Sequence, residues 1–365
     1  MCNSRHHRAQ RGGPGTMRTS PSATNAGAGL KSQRPTIKDV AAHAGVSLKT
    51  VSRVVNEEAG VKASTRKAVL ASIGVLGFRR NAAAAALRQG QTSTIGLVVK
   101  DISEPFQSSI AHAVESVASS RGAHLFAASS ADDAGRERQL ASSLSSRQVD
   151  GLIIIPSSEN HSYLAQEIAS GLAVVFLDCP AEGVDADTVL SDNRVGARKG
   201  VEHLIDHGHR RISYIGESAT FYTAVERFEG YREALERHGI GVDPDLVMLG
   251  NADPERIRSR LLKMQNLSSP PTALFTGNSV STLATLRVLG TTPLKVAHVA
   301  FDDFELFDLL TPGITVVAQD PAGLGTAAAE LLFQRIAGDT GSARTIQLHT
   351  RLIQRGSGEL TPEEL

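Results

Sequence analysis

This 365-residue sequence is poor in cysteine, in long apolar runs and in glycine motifs that bind nucleotides. Its two cysteines, Cys2 and Cys179, are too few and too far apart for a disulfide framework or a four-ligand zinc site, so a reducing cytoplasm is the expected compartment. No stretch approaches the roughly 18 uninterrupted apolar residues of a membrane span. Residues 1–30 scatter Arg and His among Ser, Gly and Ala, without the apolar run of a secretory signal. A disordered basic tail is expected there, with Met17 as an alternative start. Neither G-x-G-x-x-G, G-x-S-x-G nor a P-loop occurs, which removes the commonest signatures of dinucleotide enzymes, serine hydrolases and phosphoryl transfer.

The formal charge is zero, but its distribution is lopsided. Residues 1–90 carry 15 Lys/Arg and 3 Asp/Glu, a net +12, while the remaining 275 carry 23 and 35, a net −12. A small part made for a polyanion joined to a larger part that is not is the simplest reading. The length predicts two or three folding units.

From Pro35 the chain becomes a series of short helical patterns. Thr36 is a candidate N-cap for a helix with Ile37, Val40, Ala41 and Ala44 on one side, and Gly45 stops it. Ser47 caps a second helix carrying Val51, Val54 and Val55. A tight turn between two short helices is a helix-turn-helix, whose second helix is free to enter a major groove. A third helix runs from Ser64 or Thr65 to about Leu76. Asn81–Arg88 (N-A-A-A-A-A-L-R) has high helix propensity but is too short to be stable alone. Beyond residue 94, eight apolar strand segments (95–99, 125–128, 151–155, 174–178, 212–216, 273–277, 296–301 and 314–318) alternate with helices near 106–121, 134–147, 160–170, 194–207, 224–238, 254–265, 279–289 and 321–337. Such βα repeats predict an α/β fold with buried parallel sheets, enough for two lobes around a ligand cleft.

Written out, T-I-K-D-V-A-A-H-A-G-V-S-L-K-T-V-S-R-V-V-N over residues 36–56 resembles the lac-repressor (LacI/GalR) family of bacterial transcription regulators. Further matches are D-I-S-E-P-F (101–106), E-H-L-I-D-H-G-H-R (202–210), R-F-E-G-Y (227–231), F-D-D (301–303) and V-V-A-Q-D (316–320). The resemblance implies a helix-turn-helix headpiece over 35–80, a hinge helix and linker over 81–94, and a core over 95–355 like periplasmic sugar-binding proteins. It also implies two Rossmann-like lobes, crossed by the chain near residues 190, 318 and 347, and a C-terminal tail over 356–365. The implied activity is ligand-responsive repression by a homodimer on a pseudo-palindromic double-stranded operator, with no cofactor and no catalysis.

Matching positions assign roles residue by residue. Leu48, Lys49 and Arg53 stand where the family faces base edges, and a guanidinium suits the two acceptors of guanine. Thr36, Ser47, Thr50, Ser52 and Asn56 stand at phosphate-holding positions. Asn81 opens the hinge, and Leu87 stands where an apolar wedge enters the minor groove; Arg80 replaces the proline that often precedes the hinge. For the effector, Phe106, Gln107, Asp178, Arg227, Asn278, Asp302 and Gln319 combine an aromatic face with amides, carboxylates and a guanidinium, as a polyol requires. Two departures matter: Cys179 replaces an arginine common in pentose binders, and Ser279 replaces the usual Asp after Asn278. The effector expected is therefore a sugar or related polyol other than a plain ribose-like one.

Competing readings are weaker. His203, His207 and His209 have a spacing that suits a metal, but their motif resembles a structural helix end. Asp302 and Asp303 are adjacent carboxylates, yet neighbours at a strand end point to opposite sides, and no nucleophile accompanies them. A transport-type solute receptor would need an export signal and has no use for a basic headpiece.

Overall fold

The computed structural model describes residues 35–79, 92–292 and 294–365. The tail over 1–34 and the hinge residues Asn81 and Leu87 lie outside the described residues. The described residues fall into two compact units, divided between residues 81 and 82.

The first unit holds three helices: α1 (Ile37–Ala44), α2 (Leu48–Val55) and α3 (Ala63–Leu76). The Asp39 carboxylate accepts from both the amide and the hydroxyl of Thr36, each at 2.7 Å, closing the first turn of α1. Gly45, at φ +66°, ends it in a left-handed conformation that a side chain would disfavour. Ser47 Oγ then accepts from the Thr50 amide and starts α2. Val40, Ala41, Val51, Val54 and Val69 form the core, with Ile37, Ile73, Leu76 and Phe78 packed around them. The initiation signals of α1 and α2 are thus local, whereas α3 starts at Ala63, ahead of the expected Ser64 or Thr65, with Lys62 before it and no side-chain cap; the core is small.

The second unit contains two six-stranded sheets. Lobe 1 is built on β1 (Thr94–Val99), β2 (His124–Ser129), β3 (Gly151–Ile154), β4 (Ala173–Leu177), β5 (Asp187–Ser191) and β11 (Thr345–Leu348). Lobe 2 is built on β6 (Ile212–Gly216), β7 (Val247–Leu249), β8 (Ala273–Thr276), β9 (Ala297–Phe301), β10 (Thr315–Ala318) and β12 (Arg351–Ile353). The orders are β11-β5-β4-β3-β1-β2 and β12-β10-β9-β8-β6-β7, the same pattern twice. Every pairing is parallel except β10 with β12. Helices α4 (Pro105–Ser120), α5 (Ala134–Ser146), α6 (Ala165–Ala169) and α11 (Pro321–Ile336) serve lobe 1. Helices α7 (Asn193–Asp206), α8 (Tyr222–Arg237), α9 (Pro254–Gln265) and α10 (Ser279–Leu289) serve lobe 2. The segment expected as one helix over 160–170 is instead a 3-10 turn, Ser162–Leu164, followed by the single-turn α6.

The chain passes between the sheets after Ser191, after Ala318 and after Leu348. Buried Asp192 fastens the first passage to the third. Its Oδ1 accepts from the Thr350 amide and hydroxyl, both at 2.7 Å, and its Oδ2 lies 2.9 Å from His349 Nδ1.

In each sheet the chain runs from the first strand to one side and then returns to the other, so the order reverses between β1 and β3 and between β6 and β8. A doubly wound sheet opens a crevice at the carboxyl ends of strands flanking such a reversal.

Candidate nucleic-acid interface and ligand cleft

On α2, Leu48 and Lys49 point outward, and Leu48 is 46% exposed. An exposed leucine beside a lysine on a short helix offers an apolar surface and a cation without a salt-bridge partner among the described residues. Arg53 behaves differently. Its Nη2 donates to Ala59 O and its Nε lies 3.4 Å from Glu58, so the guanidinium rests against the loop after α2. A β-carbon at Gly60 would meet that guanidinium at 2.9 Å. Arg53 must leave these partners before it can reach a base. The hydroxyl groups of Ser47 and Thr50 are 2.9 Å apart, and Asn56 Nδ2 donates weakly to Ser52 Oγ and Glu58 Oε1 at 3.4 Å. Thr36 is committed to Asp39.

The seven residues expected at the effector site take three kinds of position. Arg227, Asp302 and Gln319 come together in lobe 2 and its passage, and Asn278 follows Gly277, whose carbonyl accepts from Arg227. Arg227, buried on α8, donates from Nε to Asn193 Oδ1 and from Nη1 to Gly277 O, each at 2.8 Å. Its Nη1 also lies 3.4 Å from Asp302 Oδ2, and its guanidinium stacks 4.0 Å from the Phe301 ring centre. Asp302 in turn accepts from Gln319 Nε2 at 2.7 Å. Asn278 is the N-cap of α10, accepting from the Ser281 amide. Its role here is to start a helix, and its amide Nδ2 is the part left over.

Phe106 and Gln107 lie at the start of α4. Gln107 is buried, and its Oε1 accepts from the amides of Lys100 and Asp101 while its Nε2 donates to Glu104. It shapes the loop after β1 and has no hydrogen-bonding atom left unused except one Nε2 proton. Phe106 lines an open groove of about 740 Å³ together with Ser103, Asp302, Gln319, His349 and Arg351. Asp178, Arg227 and Asn278 do not line that groove.

Asp178 follows β4 in a left-handed conformation (φ +66°), buried, with Oδ1 hydrogen-bonded to nothing among the described residues. Burial pushes its pKa up, Arg227 and Lys100 oppose this, and Asp302 adds to it. Asp302 shares the left-handed backbone, at φ +70°. Side chains rarely adopt this region, and its cost of order 1 kcal/mol or more is the sort tolerated where a side chain must be aimed.

Sequence reasoning missed four groups at the same strand ends. Lys100 follows β1; its Nζ is 3.4 Å from Asp132 and 4.3 Å from the ring centre of Phe221, a lobe 2 residue. Burial works against the lysine charge, but the anions around it, Asp132, Asp178 and Glu217 among them, hold its pKa above the ordinary value. Glu217 follows β6 and Glu104 precedes α4, and burial raises the pKa of both. Tyr214, fully buried in β6, has a hydroxyl with no partner, packed against Gly216 and Gly277. A charged residue directly after an apolar strand was the available signal for Lys100 and Glu217. Cys179 is a buried neutral thiol, its pKa pushed to about 12 by burial, so it does not replace the charge of an arginine.

The histidine series does not converge. His203 Nε2 is 2.6 Å from Glu359, His207 Nδ1 bonds the carbonyl of His203, and His209 sits between Thr272 and Leu360 O. Among the described residues no group of three candidate ligands is placed to hold a metal. Asp302 and Asp303 diverge, the second pairing with Arg355. No helix among the described residues is long and apolar enough to cross a membrane.

Comparison with known proteins gives a consistent picture. Residues 36–81 match the profile of bacterial regulatory proteins of the lacI family, and residues 201–358 match a periplasmic binding protein-like domain. The HTH-type transcriptional repressor PurR of Mannheimia succiniciproducens is 30% identical over 327 residues, covering 88% of this chain and 98% of that protein. A cellobiose complex of the transcriptional regulator CelR is 32% identical with a TM-score of 0.65, covering 89% of this chain and 100% of that one. The lac repressor dimer bound to operator and the anti-inducer ONPF is 26% identical with a TM-score of 0.78, covering 89% and 99%.

Proposed function

The chain belongs to the lacI family of bacterial regulatory proteins, and from that premise we propose that it is a cytoplasmic repressor that binds a pseudo-palindromic operator as a homodimer and answers to a small polyol effector. In this reading residues 35–80 are the DNA-binding headpiece, 81–94 the hinge and linker, and 95–355 the effector-binding and dimerisation core. It is a regulator and not an enzyme.

The observation that carries the reading is the cleft. Polar groups from both lobes meet at strand ends, and acceptor atoms Asp178 Oδ1 and Gln319 Oε1 are buried there without donors. Buried acceptors left unpaired cost about 1–3 kcal/mol each, and a hydroxyl-bearing ligand supplies what they lack. Arg227, Asp302 and Gln319 form the fixed wall, Phe106 the apolar face, and Asn278 contributes its free amide. A ligand touching both lobes binds the closed arrangement better than the open one, and only such a difference can shift the equilibrium between them. Through the three passages the shift changes the spacing of the two hinges in a dimer. Asn81 and Leu87 are the residues assigned to that step, Leu87 as the minor-groove wedge. Leu48, Lys49 and Arg53 are the base readers, and Thr36, Ser47, Thr50, Ser52 and Asn56 the phosphate contacts.

Fluorescence anisotropy on a duplex selected from random DNA tests the reading. With roughly 6–10 phosphates neutralised per dimer, log K falls against log salt with a slope of about −5 to −9; a slope shallower than about −2 removes the DNA assignment. On the same duplex a sugar panel is titrated, and the active compound must lose its effect in Asp302→Ala.

A further inference from the structure

The cleft has more negative charge than its own cations can balance. Lys100 and Arg227 are the basic groups electrostatically coupled to Asp178 and Glu217, and both are already committed. Lys100 is held by Asp132 and by the face of Phe221. Arg227 is held by Asn193, Gly277 and Asp302. Glu104, Asp178 and Glu217 remain, with no salt-bridge partner among the described residues. Glu104 lies in the loop after β1, Asp178 follows β4 and Glu217 follows β6, so all three stand at strand ends, and the charges of Asp302, Glu217 and Asp178 all act on Glu104. The adjoining groove does not redress the balance, since it adds Glu305 and Asp320 against Arg351.

Apart from the carboxyls, an unsatisfied hydroxyl is buried beneath the same strand ends. Tyr214 Oη is fully buried and unpartnered, lies against Gly216 and Gly277 at the ends of β6 and β8, and is coupled to Glu217 and Arg227. A protein that holds one buried and two half-buried carboxyls without cations, and a buried hydroxyl without a partner among the described residues, leaves their satisfaction to something that enters. A neutral polyol would satisfy the hydrogen bonds but leave the charge.

We propose that the effector is a hydroxylated small molecule bearing a protonated amine, an amino sugar or amino polyol, whose ammonium is received by Asp178, Glu217 and Glu104. This rests on reading the inter-lobe cleft as the effector site. The fixed wall of Arg227, Asp302 and Gln319 takes the hydroxyls, and the ammonium supplies three donors and the missing positive charge to the three carboxyls. The ligand-free protein then carries a penalty at neutral pH that the ligand relieves, because burial and mutual repulsion disfavour the charged carboxylates.

The test uses the full chain and matched pairs: D-glucosamine against D-glucose and D-galactosamine against D-galactose, with N-acetyl-D-glucosamine as a neutral derivative, by calorimetry at pH 7. At least ten-fold tighter binding of an amine than of its neutral partner, reduced ten-fold or more in Glu217→Gln, is expected. A neutral sugar that binds as tightly as its amine, and loses binding in Asp302→Ala, overturns the amine while keeping the cleft. An amine that binds undiminished in both variants lies outside the cleft and overturns both readings. If no compound in the panel binds, the ligand-free proteins decide. Glu217→Gln and Asp178→Asn melt at higher temperature than wild type at pH 7, by about 2 °C or more, with the gap closing at pH 5. Melting temperatures unchanged or lowered at pH 7 overturn the proposal.

Discussion

Lobe 1 and lobe 2 are built alike down to a detail of helix packing. Each has a main helix pair, α4 with α11 and α7 with α8, and each pair approaches closely at a glycine. A β-carbon at Gly325 would meet Ile110 O at 2.7 Å, and one at Gly230 would collide with Arg194 O. The polar groups are divided unequally between the same frames. Lobe 2 brings a network with its partners already in place, Arg227 with three acceptors and Asp302 with two donors. Lobe 1 brings Asp178, whose Oδ1 has none. The Arg227–Asp302 network of lobe 2 is thus pre-formed, while Asp178 of lobe 1 and Gln319 Oε1 in the passage after β10 are left to be completed, which lets ligand binding act on the relation between lobes.

Arg227→Ala is the strongest way to break this asymmetry. It leaves Asp302 buried without its cation, a change that typically costs about 3–5 kcal/mol. Urea denaturation should therefore show a large loss of stability together with loss of ligand response. A variant as stable as wild type would mean that the lobe 2 network is not a fixed wall.

Acidification sets two kinds of buried group against each other next. His298, fully buried in β9 and bonded through Nε2 to Thr276, has its pKa lowered to about 4 by burial. A depressed pKa means stability that is present above about pH 6.5 and lost as pH falls toward 4, up to roughly 3 kcal/mol. The raised carboxyls Asp178, Glu104 and Glu217 act in the opposite sense, their charged forms being disfavoured as pH rises. Denaturant melts of wild type and His298→Gln from pH 8 to 4 isolate the first effect, and the variant should lose less stability on acidification.

The glycines test whether the frames are equivalent. Gly230→Ala and Gly325→Ala each overpack a helix contact at a cost of about 1–3 kcal/mol, offset by up to about 1 kcal/mol of better helix propensity. Thermal melts should show both variants destabilised, Gly230→Ala more so. The smallest change is expected from Asp178→Asn, a gain of about 2 °C in the melting temperature of the ligand-free protein at pH 7 together with damage to ligand response in operator binding. A marked loss of stability would show that Asp178 is a structural residue of lobe 1.

The sequence was most readable where signals are local. Thr36, Gly45, Ser47 and Gly77 mark helix ends by their own chemistry, and the eight strand segments with continuous apolar runs were found from periodicity. The strands missed are β5, β7, β11 and β12. Three-residue β7 and β12 are too short to show a period. Thr345–Leu348 alternates exposed and half-buried residues because it lies at a sheet edge, and Asp187–Ser191 hides a fully buried strand behind polar ends. At the site, the residue types were legible but their commitments were not. That Gln107 is consumed by the amides of Lys100 and Asp101, or that Arg53 rests on Ala59 O, depends on distances no spacing rule contains.

The threefold passage of the chain also fixes when each part can be completed during synthesis. The headpiece core needs nothing beyond Phe78. Lobe 1 begins at Thr94, yet its core includes Leu324, Ala328, Leu331 and Leu332 of α11, and its edge strand ends at Leu348. The ribosome must therefore finish nearly all of lobe 2 before lobe 1 can close, and until then the lobe 1 sheet exposes the surface that α11 will cover, the kind of transient exposure that invites aggregation. A stop before Thr345 removes one edge strand from each sheet at once, so a single truncation damages both lobes while leaving the headpiece intact.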